Sequence, residues 1–113
     1  MSRRNKAPAA VAATELVLPP ELTIYTVGEL RPQWLAWLGQ MEAAADEVAV
    51  ARADQLGEID GAGVQMLLAL ERSLSERGRR LRIEAASAAL QTGCGAAGLT
   101  DWLHERGAME RRA

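Results

Sequence analysis

"LGEIDGAGVQMLLAL" (56–70) runs from an acidic, glycine-bearing turn straight into an apolar helical pattern. Such a turn at a helix start can be a phosphate cradle, a phosphorylation loop or a tight corner. A P-loop cradle needs several glycines around a Lys-Ser/Thr pair, so that backbone N–H groups and an ammonium meet the phosphates. This turn has no Lys, Ser or Thr, and its Glu58 and Asp60 repel phosphate. Paired carboxylates can move protons, and Asp54, Glu58 and Asp60 lie close together in the chain. Asp60, however, stands where a helix N-cap belongs, and capping free N–H groups accounts for an Asp without chemistry. No His, Cys or nucleophilic hydroxyl neighbours these acids. The stretch reads as a corner, leading into a helix over about 61–77 that Gly78 ends.

The flanking segments set that corner in an α/β pattern. Downstream, "RLRIEA" (80–85) alternates, Leu81 and Ile83 in, Arg82 and Glu84 out, as a strand with one wet face does. Upstream, "EVAVA" (47–51) is a strand with Val48 and Val50 on one face and Ala49 and Ala51 on the other. "ELVLP" (15–19) predicts a short strand stopped by Pro19 and Pro20, and "ELTIY" (21–25) a second one. Thr26 and Glu29 have the spacing of a capping box. Behind them Leu30, Trp34, Trp37, Leu38, Met41 and Ala45 form an apolar stripe, which predicts a helix over about 27–44. Pro32 falls inside it and implies a bend or a delayed start. Ser87 caps a short helix weakened at "GCG" (93–95), and a last helix at Thr100–Arg106 carries Trp102 and Leu103. The order is ββαβαβαα. Strands separated by helices imply right-handed crossovers and a mixed, mostly parallel sheet of four to five strands, with helices mainly on one face.

Composition narrows the class. The 113 residues are 49% hydrophobic and 25% charged, ordinary for one globular domain. We expect that domain over residues 14–106, with a disordered tail at 1–13 and a frayed one at 107–113. The net charge of −2 gives no electrostatic reason to expect nucleic acid. Twelve of the thirteen basic residues are Arg, which reads as compositional bias. The start, "MSRRNKAPAAVAA", is basic and then small and apolar, but Pro8 interrupts it and it lacks Leu, Ile and Phe, so it makes a poor signal peptide. No run of about 18 apolar residues is present to span a membrane. One cysteine, Cys94, makes no internal disulfide, and a cytoplasmic location is the expectation.

Taken together, "LTIYTVGELRPQWLAWL" (22–38), "LGEIDGAGVQMLLALERSLSERGRRLRIE" (56–84) and "GLTDWL" (98–103) resemble a STAS domain, the fold of anti-sigma-factor antagonists. The resemblance covers about residues 15–105 and is nearest to small stand-alone STAS proteins of chemotaxis gene clusters and lipid-transport complexes. Its most diagnostic piece is the "ID-x-x-G" step from strand to helix. The family usually offers a Ser or Thr between that Asp and Gly, which a partner kinase phosphorylates. Here those phosphoacceptor-equivalent positions are Gly61 and Ala62, which accept no phosphoryl group. Two further departures are Arg52, where an acid is common, and Asp54, where a Ser is common.

The resemblance implies a non-catalytic interaction module with a docking site of Glu58, Asp60, Gly61, Ala62, Gly63, Val64 and Leu68. The partner it implies is an anti-sigma-type kinase, a chemotaxis component or a transporter ATPase subunit, with no metal and no cofactor. The alternative is a small-ligand or nucleotide sensor. The second helix has apolar residues over about 200° of its circumference, more than one packed face needs. Val64 and Leu68, or Met66, are therefore either core or an exposed docking edge. Trp34 and Trp37 fall on the inward stripe, and Trp102 packs the terminal helix or meets a second copy. His104 sits between Asp101 and Glu105 as a solvated ion pair. Cys94 lies in a segment that could be mobile, where a reactive thiol is conceivable. Arg77, Arg79, Arg80 and Arg82 form a basic run, either a solvated turn or a patch for an acidic partner or anionic headgroup.

Overall fold

In the computed structural model, which describes residues 15–41 and 47–112, the alternating stretches become strands and the 3.6-period stripes become helices. The order is β1 (Glu15–Val17), β2 (Glu21–Leu22), α1 (Val27–Met41), β3 (Val48–Arg52), β4 (Glu58–Ile59), α2 (Gly61–Glu76), β5 (Arg80–Glu84), α3 (Ala88–Ala96) and α4 (Thr100–Arg112). The strands form a three-stranded sheet, β1-β3-β5, and a separate pair, β2-β4. Every pairing among the described residues is parallel, so the expected mixed sheet is an all-parallel one. The reason is connectivity: each pair is joined through at least one helix, and parallel neighbours require such a crossover.

Strand alternation puts the core on one face of the larger sheet. Ala49, Ala51, Leu81 and Ile83 are at most 2% exposed, and the intervening Val48, Val50, Arg82 and Glu84 stay half-buried. Ala49 faces Leu81 and Ala51 faces Ile83 in register, so small residues in the central strand sit beside large ones. Above them lie Trp34, Trp37, Leu38 and Met41 of α1 and Leu67, Leu70 and Leu74 of α2. This is the core role expected for both tryptophans. Ala45 and the expected tail at 1–13 lie outside the described residues.

Four local readings change. "ELTIY" is a strand only at Glu21–Leu22, because Thr23–Thr26 turns: the Thr26 and Val27 N–H groups both donate to the Thr23 carbonyl at 2.9 Å. The capping box does not form. The Thr26 hydroxyl instead accepts the Thr23 N–H (3.0 Å), and the Glu29 N–H goes to the Thr26 carbonyl (3.1 Å). α1 starts at Val27 and continues through Pro32, so the helix is not delayed. The carbonyl that Pro32 deprives of a donor belongs to Gly28, an exposed residue where water can replace it. The last helix continues to Arg112 rather than ending near Arg106. A strand absent from the expected order, β4, also appears inside the opening stretch.

Candidate partner-docking site

The corner at 56–64 is built from β4 and the first turn of α2. Asp60 is the N-cap, extended at φ −125° and ψ −171°, and its Oδ1 accepts the Gly63 N–H at 3.1 Å. Its Oδ2 reaches across the chain and accepts the Ile24 N–H at 3.0 Å. One carboxylate therefore ties the start of α2 to the turn before α1. The Ile24 bond is the main reason the Asp60 carboxyl lies below its ordinary 3.8; partial burial opposes it and the Gly63 and Ala62 N–H groups add to it. A carboxylate so committed stays ionised, the reverse of what an acid catalyst near neutral pH needs.

Gly63 is buried, and its glycine identity is forced by packing. A Cβ there would stand 2.1 Å from the Leu22 carbonyl oxygen and 2.8 Å from Ile59 Cγ1. Gly93 plays the matching part for α3, whose "GCG" run stays helical: a Cβ there would lie 2.6 Å from Ile59 Cγ2. Ile59 thus sits between two helices that approach it through glycines. Gly61 is exposed with open space around it, and Ala62 is half-buried.

The helical wheel then separates the remaining site residues. Val64 is 5% exposed, so of its two readings the core one holds, and its place in the implied docking set is corrected: it lies on the packed side of α2. Ala62, Gln65, Met66, Ala69 and Ser73 face α1 and, with Val27, Arg31, Trp34, Leu35 and Leu38, line an open groove of about 470 Å³. Leu68, half-buried, faces the other way into a cleft with Glu71, Arg72, Trp102 and Arg106. There α4 latches onto α2. The Trp102 Nε1–H donates to Glu71 Oε1 at 2.8 Å, Arg106 pairs with Glu71 Oε2, and the Arg106 guanidinium lies 4.5 Å over the Trp102 ring. Leu68 and the corner therefore do not form one surface.

Of the other singled-out residues, His104 is exposed and, contrary to expectation, makes no ion pair with Asp101 or Glu105, while most of the basic run has structural partners. Arg77 donates to the Ser73 carbonyl (2.9 Å), Arg79 to the Met41 carbonyl and Arg82 pairs with Glu84 (3.2 Å), so the basic run is mostly tied down. Arg52 lies 3.4 Å from Glu84 and 3.7 Å from Asp54. Cys94 is fully buried and burial pushes its thiol pKa up, which sets aside the reactive thiol that its glycine-flanked position left open. Among the described residues no cluster of His, Cys, Asp and Glu is arranged to hold a metal. The sequence reading missed Ile24, Tyr25 and Leu35, all exposed large hydrophobics. Leu35 was visible as a residue off the inward stripe of α1, whereas the turn at 23–26 was masked by its β-prone composition.

The family model described as "Mlab, STAS domain" matches residues 6–105, nearly the whole chain. The chain is a STAS domain. The α/β architecture, the small parallel sheet and the strand-to-helix step at Asp60 agree with that assignment. STAS domains are regulatory or binding modules and are generally non-catalytic. No curated protein matches this STAS domain at a significant level. Among the described residues none of its helices is long and apolar enough to cross a membrane.

Proposed function

We propose that this STAS domain is a non-catalytic docking module that engages a protein partner at the α2 corner and along the α1–α2 groove. The observation that carries this is the open flank of α2. Ala62, Gln65 and Met66 line an open groove against α1, beside the exposed Gly61, and among the described residues no element fills it. The contact set is Glu58, Asp60 through its capping role, Gly61 and Ala62, with Gly63 as the packing hinge beneath. Val64 and Leu68 contribute to stability instead. The partner classes that the family suggests are an anti-sigma-type kinase, a chemotaxis component or a transporter ATPase subunit, in the cytoplasm of a bacterium.

The corner works without a phosphoryl switch, because residues 57–64 contain no hydroxyl. Co-expression with the cognate kinase followed by intact-mass measurement tests this; a phosphate on Ser73, Ser75 or Ser87 that alters partner binding overturns it. Docking itself is tested by quantitative affinity purification with the wild type, Ala62→Arg and Arg80→Ala. The expected result is a defined protein retained by wild type and Arg80→Ala and lost from Ala62→Arg. Equal recovery on all three overturns the reading. A groove of about 470 Å³ is also within the size range of small-ligand sites. A melting screen with added ligands tests that sensor alternative, and a shift abolished by Met66→Trp supports it.

A further inference from the structure

The turn between β2 and α1 presents Ile24 at 62% and Tyr25 at 85% exposure. The backbone beneath these side chains is held from several directions. Thr23 is 3% exposed, and its hydroxyl donates to Glu21 Oε2 (2.7 Å) while accepting the Tyr25 N–H (3.2 Å). The Thr26 hydroxyl accepts the Thr23 N–H, and Asp60 holds the Ile24 N–H. An aromatic side chain on so constrained a turn is ordered at its base before any partner arrives, which lowers the entropy cost of docking through it. Aromatic anchors of this kind carry a large share of binding energy at protein interfaces.

Charge defines what the turn faces. Glu21 and Glu58 stand opposite one another in the β2–β4 register, an arrangement that destabilises a strand pair. Among the described residues neither of them, nor the exposed Glu29, forms an ion pair. The unneutralised acids and the apolar turn are contiguous through the Glu21–Thr23–Tyr25 hydrogen bonds. An anionic membrane or a nucleic acid would bring more negative charge to them, whereas a cationic protein surface relieves the repulsion.

We infer that the Thr23–Thr26 turn is the anchor of the docking surface and that its occupant is a protein patch with an apolar cleft for Tyr25, ringed by Lys or Arg. This rests on the docking reading above and names the partner's chemistry. It is tested with the full chain, in its cell of origin, carrying a photoreactive benzoylphenylalanine at Tyr25, at the exposed groove residue Gln65 or, as a control, at Glu105. Each is made alone and combined with Glu58→Lys or the milder Glu58→Gln. Circular dichroism confirms folding; Glu58 is exposed, and the Gln variant preserves the test if Lys disturbs the strand. The expected result is a crosslink from position 25 to a protein peptide rich in Lys or Arg. Its yield falls several-fold with Glu58→Lys and less with Glu58→Gln, and position 105 gives none. Crosslinking at 65 but not at 25 overturns the inference and leaves the docking reading standing. Silence at both overturns the two together. A crosslink from 25 to lipid, to an acidic or neutral peptide, or one indifferent to Glu58→Lys overturns the inference.

Discussion

The two flanks of α2 have opposite fates. On one, Leu68 and Glu71 meet α4, and every polar group of the latch is matched: Glu71 takes Trp102 and Arg106, and Arg106 also donates to the Trp102 carbonyl at 2.9 Å. On the other, Ala62, Gln65, Met66 and Ala69 face a groove that no element among the described residues fills. Both flanks belong to one helix of similar local composition, so composition does not distinguish them. What does is whether the chain supplies polar partners: α4 latches one side through Glu71, and among the described residues no such latch ties the other side to α1. Excess apolar surface on a helix is thus ambiguous until its neighbours are placed.

The largest effect is expected where both flanks share a base. Gly63→Ala forces a methyl against the Leu22 carbonyl, a backbone atom with little freedom to move. A stability loss of about 3 kcal/mol or more should appear in urea unfolding, with both flanks lost together. Next comes the latched flank alone. Glu71→Ala strands the Trp102 N–H and the Arg106 guanidinium, and about 1–2 kcal/mol should be lost in thermal denaturation. Tryptophan fluorescence should shift as the Trp102 indole loses its partner, while docking at the corner is retained.

A smaller, pH-dependent effect should mark Asp60. Its carboxyl is depressed in the folded state, so the stabilisation it gives is present above the ordinary value of 3.8 and is lost as pH falls through the lower folded value. Acid unfolding curves of the wild type should therefore steepen below pH 3.8 relative to Asp60→Asn, which has no carboxyl there to titrate. An unchanged acid limb in the variant would remove the cap from the account. The smallest effect belongs to the open flank: Leu35→Glu, at a 53% exposed position, should change stability by no more than about 0.5 kcal/mol. A larger loss would mean that the groove is covered in the free protein.

Much of this architecture was legible because periodic burial dominates it. The stripe Trp34–Trp37–Leu38–Met41 and the alternation Leu81–Ile83 predicted their elements and inward faces correctly. Asp60 was legible as a cap because its carboxylate bonds only three residues on. Thr26 was not, although its spacing to Glu29 is the signature of a capping box, because its hydroxyl is taken by Thr23 in a turn that propensity reads as strand. β4 was too short, at two residues, to carry any alternation. The split between Leu68 and Ala62 depends on where α4 docks, a long-range contact through Trp102 and Arg106 that no local pattern encodes. Leu68 looked like a plausible docking residue for that reason.

Ile59, pressed between Gly63 and Gly93, also constrains how this sequence can drift. Gly63 meets backbone as well as side chain, so no single change elsewhere makes room for a methyl, and that position is closed to substitution. Gly93 meets only the Cγ2 of Ile59, a branch that leucine lacks. A lineage could therefore acquire alanine at 93 once Ile59 has become leucine, but not in the reverse order without crossing a less stable intermediate. Two glycines against the same side chain thus differ in evolutionary reach, one fixed and the other conditional on its neighbour.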